Sequence, residues 1–170
     1  CRALSAGATD LAEVAGVSER RADGVVHGPP RPPIADLDAL PHPAHRAMGV
    51  GRYRATDINR PFALVKTSRG CPHQCVFCTC HAFHGRAWRH RSPADIAAEV
   101  AQIQRDTGIR DFFFQSDVFS KQLEWTAALC ESLLARNLNI QWFANSRVDS
   151  HDRATLDLMK RAGCRLLAFG

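Results

Sequence analysis

Phe62-Ala63-Leu64-Val65-Lys66-Thr67-Ser68-Arg69-Gly70-Cys71-Pro72-His73-Gln74-Cys75-Val76-Phe77-Cys78 is the stretch on which the fold turns. Residues 62–65 are a short apolar run, and residues 62–67 read as a strand. The run passes straight into three cysteines spaced C-x3-C-x2-C. A strand that ends in a loop crowded with chemistry-bearing side chains implies a sheet whose carboxyl edge carries the site.

The chain beyond this stretch repeats the same grammar. Ser92-Pro93-Ala94-Asp95 reads as a helix start, with Ser92 as the cap and Pro93 at the first helical position. Ile96, Val100 and Ile103 follow at helical spacing, and Gly108 closes the helix. Residues 111–115 read as a buried strand. Ser120 is expected to open a second helix with the stripe Leu123, Ala127, Cys130 and Leu134. Residues 140–144 form a third strand, Asp149 or Ser150 caps a third helix that runs to Gly163, and residues 164–169 form a fourth strand. Strand and helix in alternation specify an α/β fold with a parallel sheet, either part of a βα barrel or the core of a doubly wound sheet. In both, ligands gather at the carboxyl ends of the strands. The cysteine loop, Gln115-Ser116-Asp117 and Asn145-Ser146-Arg147 are all expected there, on one face.

Upstream, residues 1–28 are short mixed segments, and Asp23-Gly24 between apolar pieces signals a hairpin. Seven of the nine prolines fall in residues 29–61, which reads as an extended linker because proline fixes its own φ and biases the residue before it. Apolar residues make up 45% of the 170 and charged ones 23%, as in a globular chain. No apolar run approaches a membrane span. The net charge of +5 suits an anionic ligand, but no nucleic-acid motif accompanies it. Seven cysteines, three of them within eight residues, point to metal and a reducing, cytoplasmic setting rather than to a disulfide framework.

Two metal chemistries fit the cysteine loop. Three thiolates can hold three irons of a 4Fe–4S cluster and leave the fourth iron open. Alternatively, Cys71, Cys75, Cys78 and Cys80, with His73, His81 and His84 nearby, could hold zinc. A structural zinc site usually draws on a second, distant knuckle, which this sequence lacks. Cys130 falls on an apolar helical stripe and Cys164 opens a strand, so both read as core. Cys80 reads as a spare thiol or a substrate-side group. Arg86, Trp88, Arg89, His90 and Arg91 offer either a contact for a substrate phosphate or carboxylate, or a solvated rim over a packed Trp88.

The run from Thr67 to Cys78 closely resembles the signature of radical S-adenosylmethionine (radical SAM) enzymes, C-x3-C-x-aromatic-C after the first barrel strand, with Phe77 in the aromatic place. The resemblance extends over residues 62–170, including Arg91-Ser92-Pro93 and Ala162-Gly163-Cys164. It implies a partial βα barrel, about its first four strands, with a 4Fe–4S cluster on Cys71, Cys75 and Cys78. The open iron chelates S-adenosylmethionine, and reductive cleavage gives a 5′-deoxyadenosyl radical that attacks a small-molecule substrate. A reductant such as flavodoxin or ferredoxin is implied as partner. Among contacts to S-adenosylmethionine, Phe77 is expected near the adenine, Asp117 at the methionyl amine, and Asn145 and Arg147 at the end of the third strand, Arg147 facing the carboxylate. Asp117 stands where many members carry a Gly-Gly-Glu-like run.

Residues 31–44 resemble the linker between a cobalamin-binding domain and such a barrel. Residues 1–28 are accordingly expected to be the end of a preceding domain, 29–61 the linker and 62–170 the barrel. Cobalamin-dependent methyl transfer is the expected reaction, and the chain is expected to be an internal fragment, inactive alone. The alternatives are a zinc-stabilised binding module and an electron-transfer iron–sulfur protein with Cys80 as fourth ligand.

Overall fold

The computed structural model describes residues 5–7, 10–56 and 59–170. Cys1 lies outside the described residues. The chain divides into two compact units, residues 1–34 and 35–170.

The first unit contains a hairpin of β1 (Ser18–Arg21) and β2 (Gly24–His27), paired antiparallel with Arg21 opposite Gly24. The Asp-Gly signal holds. The first strand, however, is the polar Ser-Glu-Arg-Arg run and not an apolar piece. Its Arg21 guanidinium pairs with Asp10 at 2.6 Å and Glu19 at 3.0 Å.

In the second unit a parallel sheet takes the order β3 (Phe62–Lys66), β6 (Asp111–Phe119), β7 (Gln141–Ser146), β8 (Cys164–Phe169). Two short strands, β4 (Ser68–Arg69) and β5 (Arg89–His90), form a separate antiparallel ladder. Among the described residues four α-helices accompany them: α1 (Cys80–His84), α2 (Pro93–Thr107), α3 (Leu123–Ala135) and α4 (Arg153–Arg161). The mixed α/β class and the four parallel strands agree with the sequence reading.

Alternation along the strands decides what is buried. Ala63 and Val65 of β3, Phe112 and Phe114 of β6, and Trp142 and Ala144 of β7 are all fully buried. They form one core with Ile96, Val100 and Ile103 of α2, Leu129, Cys130 and Leu133 of α3, and Met159 of α4. Each large apolar side chain buried this way contributes about 1.5–3 kcal/mol. The intervening residues occupy the opposite sheet face, where Phe113 stacks on Phe143 at 4.6 Å between centroids and Arg165 lies over the Phe143 ring. Phenylalanines on both faces explain why residues 112–114 show no alternation in sequence.

α2 follows its sequence signals closely. Ser92 Oγ accepts the Asp95 N–H, Pro93 is the first residue, and Gly108 stops the helix at φ 73° with its N–H on Gln104 O. The other two helix starts are corrected. Ser120 does not open α3. It sits at φ 59° at the end of β6, and the helix begins three residues later behind Gln122, which makes no side-chain cap. The buried face of α3 is Trp125, Thr126, Leu129, Cys130 and Leu133, so only Cys130 of the expected stripe is fully buried. The rotation serves Trp125, which packs edge-on against Trp88 and Phe119. The cap of α4 is Asp152, accepting the Thr155 N–H at 2.7 Å, because Asp149 is engaged by Arg147. Cys130 is core as expected, and burial, then Cys164 and Glu131, pushes its thiol up to about 12.

Among the described residues no helix is long and apolar enough to cross a membrane.

Candidate active site

The cysteine loop is closed at its base before any ligand is considered. Ser68 pairs with His90 and Arg69 with Arg89 in the β4–β5 ladder, so residues 70–88 are looped out between two clasped limbs. Within the loop, the Cys71 N–H donates to Gly85 O at 3.2 Å and the Cys78 N–H to Cys75 O at 3.1 Å. Arg89 reaches back to His84 O at 2.7 Å. Gly70, at φ 88° and close against the Ala87 carbonyl, is the point where the first limb turns. Its N–H donates to the Asp117 carboxylate at 2.7 Å, which ties the loop to β6.

One cavity of about 310 Å³ collects the candidate residues. Its walls include Cys71, Cys75 and Cys78 from the loop, Phe77 beside them, Asp117 from β6, and Asn145 with Arg147 from the end of β7. Ala168 and Phe169 of β8 also line it. Every contributing segment lies at or beyond the carboxyl end of a strand, which is where an α/β sheet leaves room for a ligand. Cys71 is buried, Cys75 half-buried and Cys78 exposed, and all three are free thiols. Phe77 is 83% exposed, so its ring is not packed against the loop that carries it. Arg147 grips Asp149 through Nε and Nη2 at 2.9 and 2.6 Å, and this bidentate pairing raises its pKa further.

Asp117 is the most heavily engaged of these groups. Besides the Gly70 N–H it pairs with His84 Nδ1 at 2.7 Å and stands 3.7 Å from Lys66 Nζ. Burial alone would raise its pKa. The Gly70 hydrogen bond and the Lys66 and His84 charges outweigh that, and the carboxylate stays ionised below its ordinary range. Burial, then the Asp117 charge, pushes the Cys80 thiol up to about 11. Cys80, His84 and Asp117 are the one group of three metal-ligating side chains with convergent ligand atoms found among the described residues.

Beneath the loop lies a buried ion network absent from the sequence reading. Glu99, 1% exposed, accepts from Arg91 and from His45 Nε2 at 2.8 Å. Arg91 also holds Asp95 and donates to Lys66 O at 3.0 Å, while its own carbonyl accepts from Trp125 Nε1 at 2.9 Å. Arg91 therefore points inward and fixes the end of β3 against α2; it is not a rim contact. His42 joins through Asp95 at 2.9 Å, so part of the proline-rich segment lies against α2. A signal was present in the sequence. Arg91, Asp95 and Glu99 are spaced i, i+4, i+8, and Glu99 falls in phase with Ile96, Val100 and Ile103, where an acid needs a buried partner.

Comparison with known proteins places these features. Over 168 residues the chain is 32% identical to an uncharacterised methyltransferase of Pyrococcus horikoshii, covering 99% of this chain and 36% of that protein. It is 29% identical to an anaerobic magnesium-protoporphyrin IX monomethyl ester cyclase of Synechocystis, covering 95% of this chain and 32% of the cyclase. The chain thus spans about a third of the length of the curated relatives it matches. Its fold superposes with a TM-score of 0.73 on TsrM, a radical S-adenosylmethionine methyltransferase of Kitasatospora setae, at 20% identity over 99% of this chain and 34% of that one. A family description, the radical SAM superfamily, matches residues 65–170. That match begins inside β3, runs through the cysteine loop and takes in the whole parallel sheet beyond it, so the chain belongs to the radical SAM superfamily.

Proposed function

We propose that Cys71, Cys75 and Cys78 hold a 4Fe–4S cluster and that the cavity beside them binds S-adenosylmethionine. The observation that carries this reading is the convergence of three free thiols and the strand-end groups Asn145 and Arg147 on one 310 Å³ cavity. Cys71, Cys75 and Cys78 would hold the cluster, which when bound and reduced would supply the electron for breaking a carbon–sulfur bond of S-adenosylmethionine. This chain's own residues bind and orient. The β4–β5 clasp and the Gly70–Asp117 hydrogen bond hold the three thiols on one loop. The exposed Phe77 ring offers a stacking surface for the adenine. Arg147, its Nε edge fixed by Asp149, would supply a guanidinium for the methionyl carboxylate, and Asn145 a side-chain amide beside it. To Asp117 we assign the anchoring of the loop in place of the amine contact, since its oxygens already accept from Gly70, His84 and, at longer range, Lys66.

We read the whole protein as an enzyme that methylates a small molecule with help from cobalamin bound mainly outside residues 62–170. In support, one relative bears the name methyltransferase and TsrM binds cobalamin and a 4Fe–4S cluster. Residues 1–28, 29–61 and 62–170 are read accordingly as the end of a preceding domain, a connecting segment and the amino-terminal part of a barrel. Flavodoxin or ferredoxin fits the need for a one-electron donor, and the free cysteines fit the reducing cytoplasm.

The test compares anaerobically reconstituted whole protein with its Cys71→Ser, Cys75→Ser and Cys78→Ser variants, and with Cys164→Ser as control. Each of the three should lose both cluster iron and the release of 5′-deoxyadenosine from S-adenosylmethionine, while the control keeps both. Retention of both in any of the three contradicts the assignment.

A further inference from the structure

Cys80 and His84 lie one helical turn apart on α1 and so share a face. That face meets Asp117, which comes from β6. The thiol sulfur, an imidazole nitrogen and a carboxylate oxygen all lie within 4.8 Å of one another. His84 Nδ1 and Asp117 Oδ2 are 2.7 Å apart. None of the three belongs to the cysteines assigned to the cluster.

We propose that Cys80, His84 and Asp117 form a second metal site, a three-ligand seat for a zinc-class divalent ion that staples α1 to β6. Thiolate, imidazole and carboxylate are the donor types that zinc takes, at bond lengths of about 2.0–2.3 Å. Those lengths set tetrahedral ligand atoms roughly 3.3–3.6 Å apart, so the His84–Asp117 pair, 2.7 Å apart, opens by about half an ångström. The ion replaces the thiol proton of Cys80 and any proton shared between His84 and Asp117, and both leave to water. One thiolate and one carboxylate then balance the dication. Lys66, 3.7 Å from the other Asp117 oxygen, opposes it and weakens the site. A fourth position is left for water, as in open zinc sites. The consequence is mechanical. The loop of Cys71, Cys75 and Cys78 is already bound to β6 on its amino-terminal side through Gly70, and the ion binds it there on its carboxyl-terminal side through α1.

The site uses none of the cluster cysteines, so it stands or falls independently of the cluster. Two measurements decide it. In the whole protein carrying Cys71→Ser, Cys75→Ser and Cys78→Ser, titration with cobalt(II) should give a thiolate-to-cobalt charge-transfer band with tetrahedral d–d absorption. Adding Cys80→Ser should abolish the band, and adding His84→Ala should weaken cobalt binding at least about tenfold. In the reconstituted protein with native cysteines, zinc supplied after cluster assembly should remain through gel filtration at roughly one ion per chain. Cys80→Ser should lose that zinc with iron unchanged. Absence of a thiolate–cobalt band in the triple-serine protein, or zinc that persists undiminished in Cys80→Ser, overturns the proposal. If Cys80→Ser fails to take up iron, the cobalt titration alone decides.

Discussion

Replacing Gly70 by alanine strains the cysteine loop in two ways. The residue sits at φ 88°, a region that costs an L-residue roughly 1–2 kcal/mol. A Cβ there would lie 2.0 Å from the Ala87 carbonyl oxygen and 2.9 Å from its carbon. Both atoms are backbone of the opposite limb, so no rotamer change relieves the contact and the clasp itself must shift. Overpacking of this kind costs about 1–3 kcal/mol, which brings the total to about 2–5 kcal/mol. Gly108 provides the control. Its φ is 73°, but a Cβ there meets nothing within 4 Å, so Gly108→Ala carries only the conformational part, about 1–2 kcal/mol. Urea denaturation read by linear extrapolation separates the two. The shift of the limb also draws the Gly70 N–H away from Asp117, so iron uptake should fall in Gly70→Ala and not in Gly108→Ala. Equal destabilisation of the two variants, with equal iron uptake, would refute the claim that this contact shapes the loop.

Glu99→Ala leaves Arg91 and His45 buried without their shared partner and should cost about 3–5 kcal/mol in the same denaturation assay; a loss under 1 kcal/mol would show the network to be dispensable. Asp117→Ala leaves the buried Gly70 N–H unpaired, at about 1–3 kcal/mol, and should slow iron uptake more than Asp117→Asn, which keeps an acceptor; equal rates count against the anchoring role. The His42–Asp95 contact makes stability depend on pH. Burial lowers the His42 pKa, but the hydrogen bonds its ring donates to Asp95 and Gln102 outweigh it and leave the folded value raised. Its contribution is therefore full below the unfolded value and fades as pH rises through the folded one. Asp95, which burial raises but His42 and Arg91 lower on balance, contributes fully above its unfolded value and loses that as pH falls through the folded one. Stability from this pair should peak between about pH 4 and 6.5, and His42→Gln should flatten the alkaline limb of the urea midpoint against pH. An unchanged limb would remove His42 from the account.

Much of the fold could be read in advance because its signals were local. Residues 164–169 form β8 as expected, since an apolar run follows Gly163 directly. The α2 boundaries were legible because Ser92, Pro93 and Gly108 each act through their own backbone geometry. The errors came where a residue type had two uses. Ser120 is a cap by type, but a left-handed turn ends β6 there. Asp149 is a cap by type, but Arg147 claims its carboxylate. The face of α3 is not legible from its own stripe because Trp125 packs with Trp88, 37 residues away, as well as with Phe119. In the site, the meeting of the cysteine loop with Asp117, Asn145 and Arg147 at the strand ends was legible from the alternation of strands and helices. The engagement of Asp117 was not, because its partners Gly70, His84 and Lys66 come from three different segments and nothing in any one of them announces a carboxylate. The basic neighbours of Arg91 suggest a substrate contact or a solvated rim, and only the phase of Glu99 along α2 speaks for an inward turn.

The most direct test of the central claim is electron paramagnetic resonance of the whole protein, reconstituted anaerobically with iron and sulfide and then reduced. The assignment of Cys71, Cys75 and Cys78 predicts a 4Fe–4S signal that shifts when S-adenosylmethionine is added, and that is absent from the Cys71→Ser, Cys75→Ser and Cys78→Ser variants. A protein that takes up zinc alone at these cysteines, or a cluster whose signal ignores S-adenosylmethionine, would contradict it.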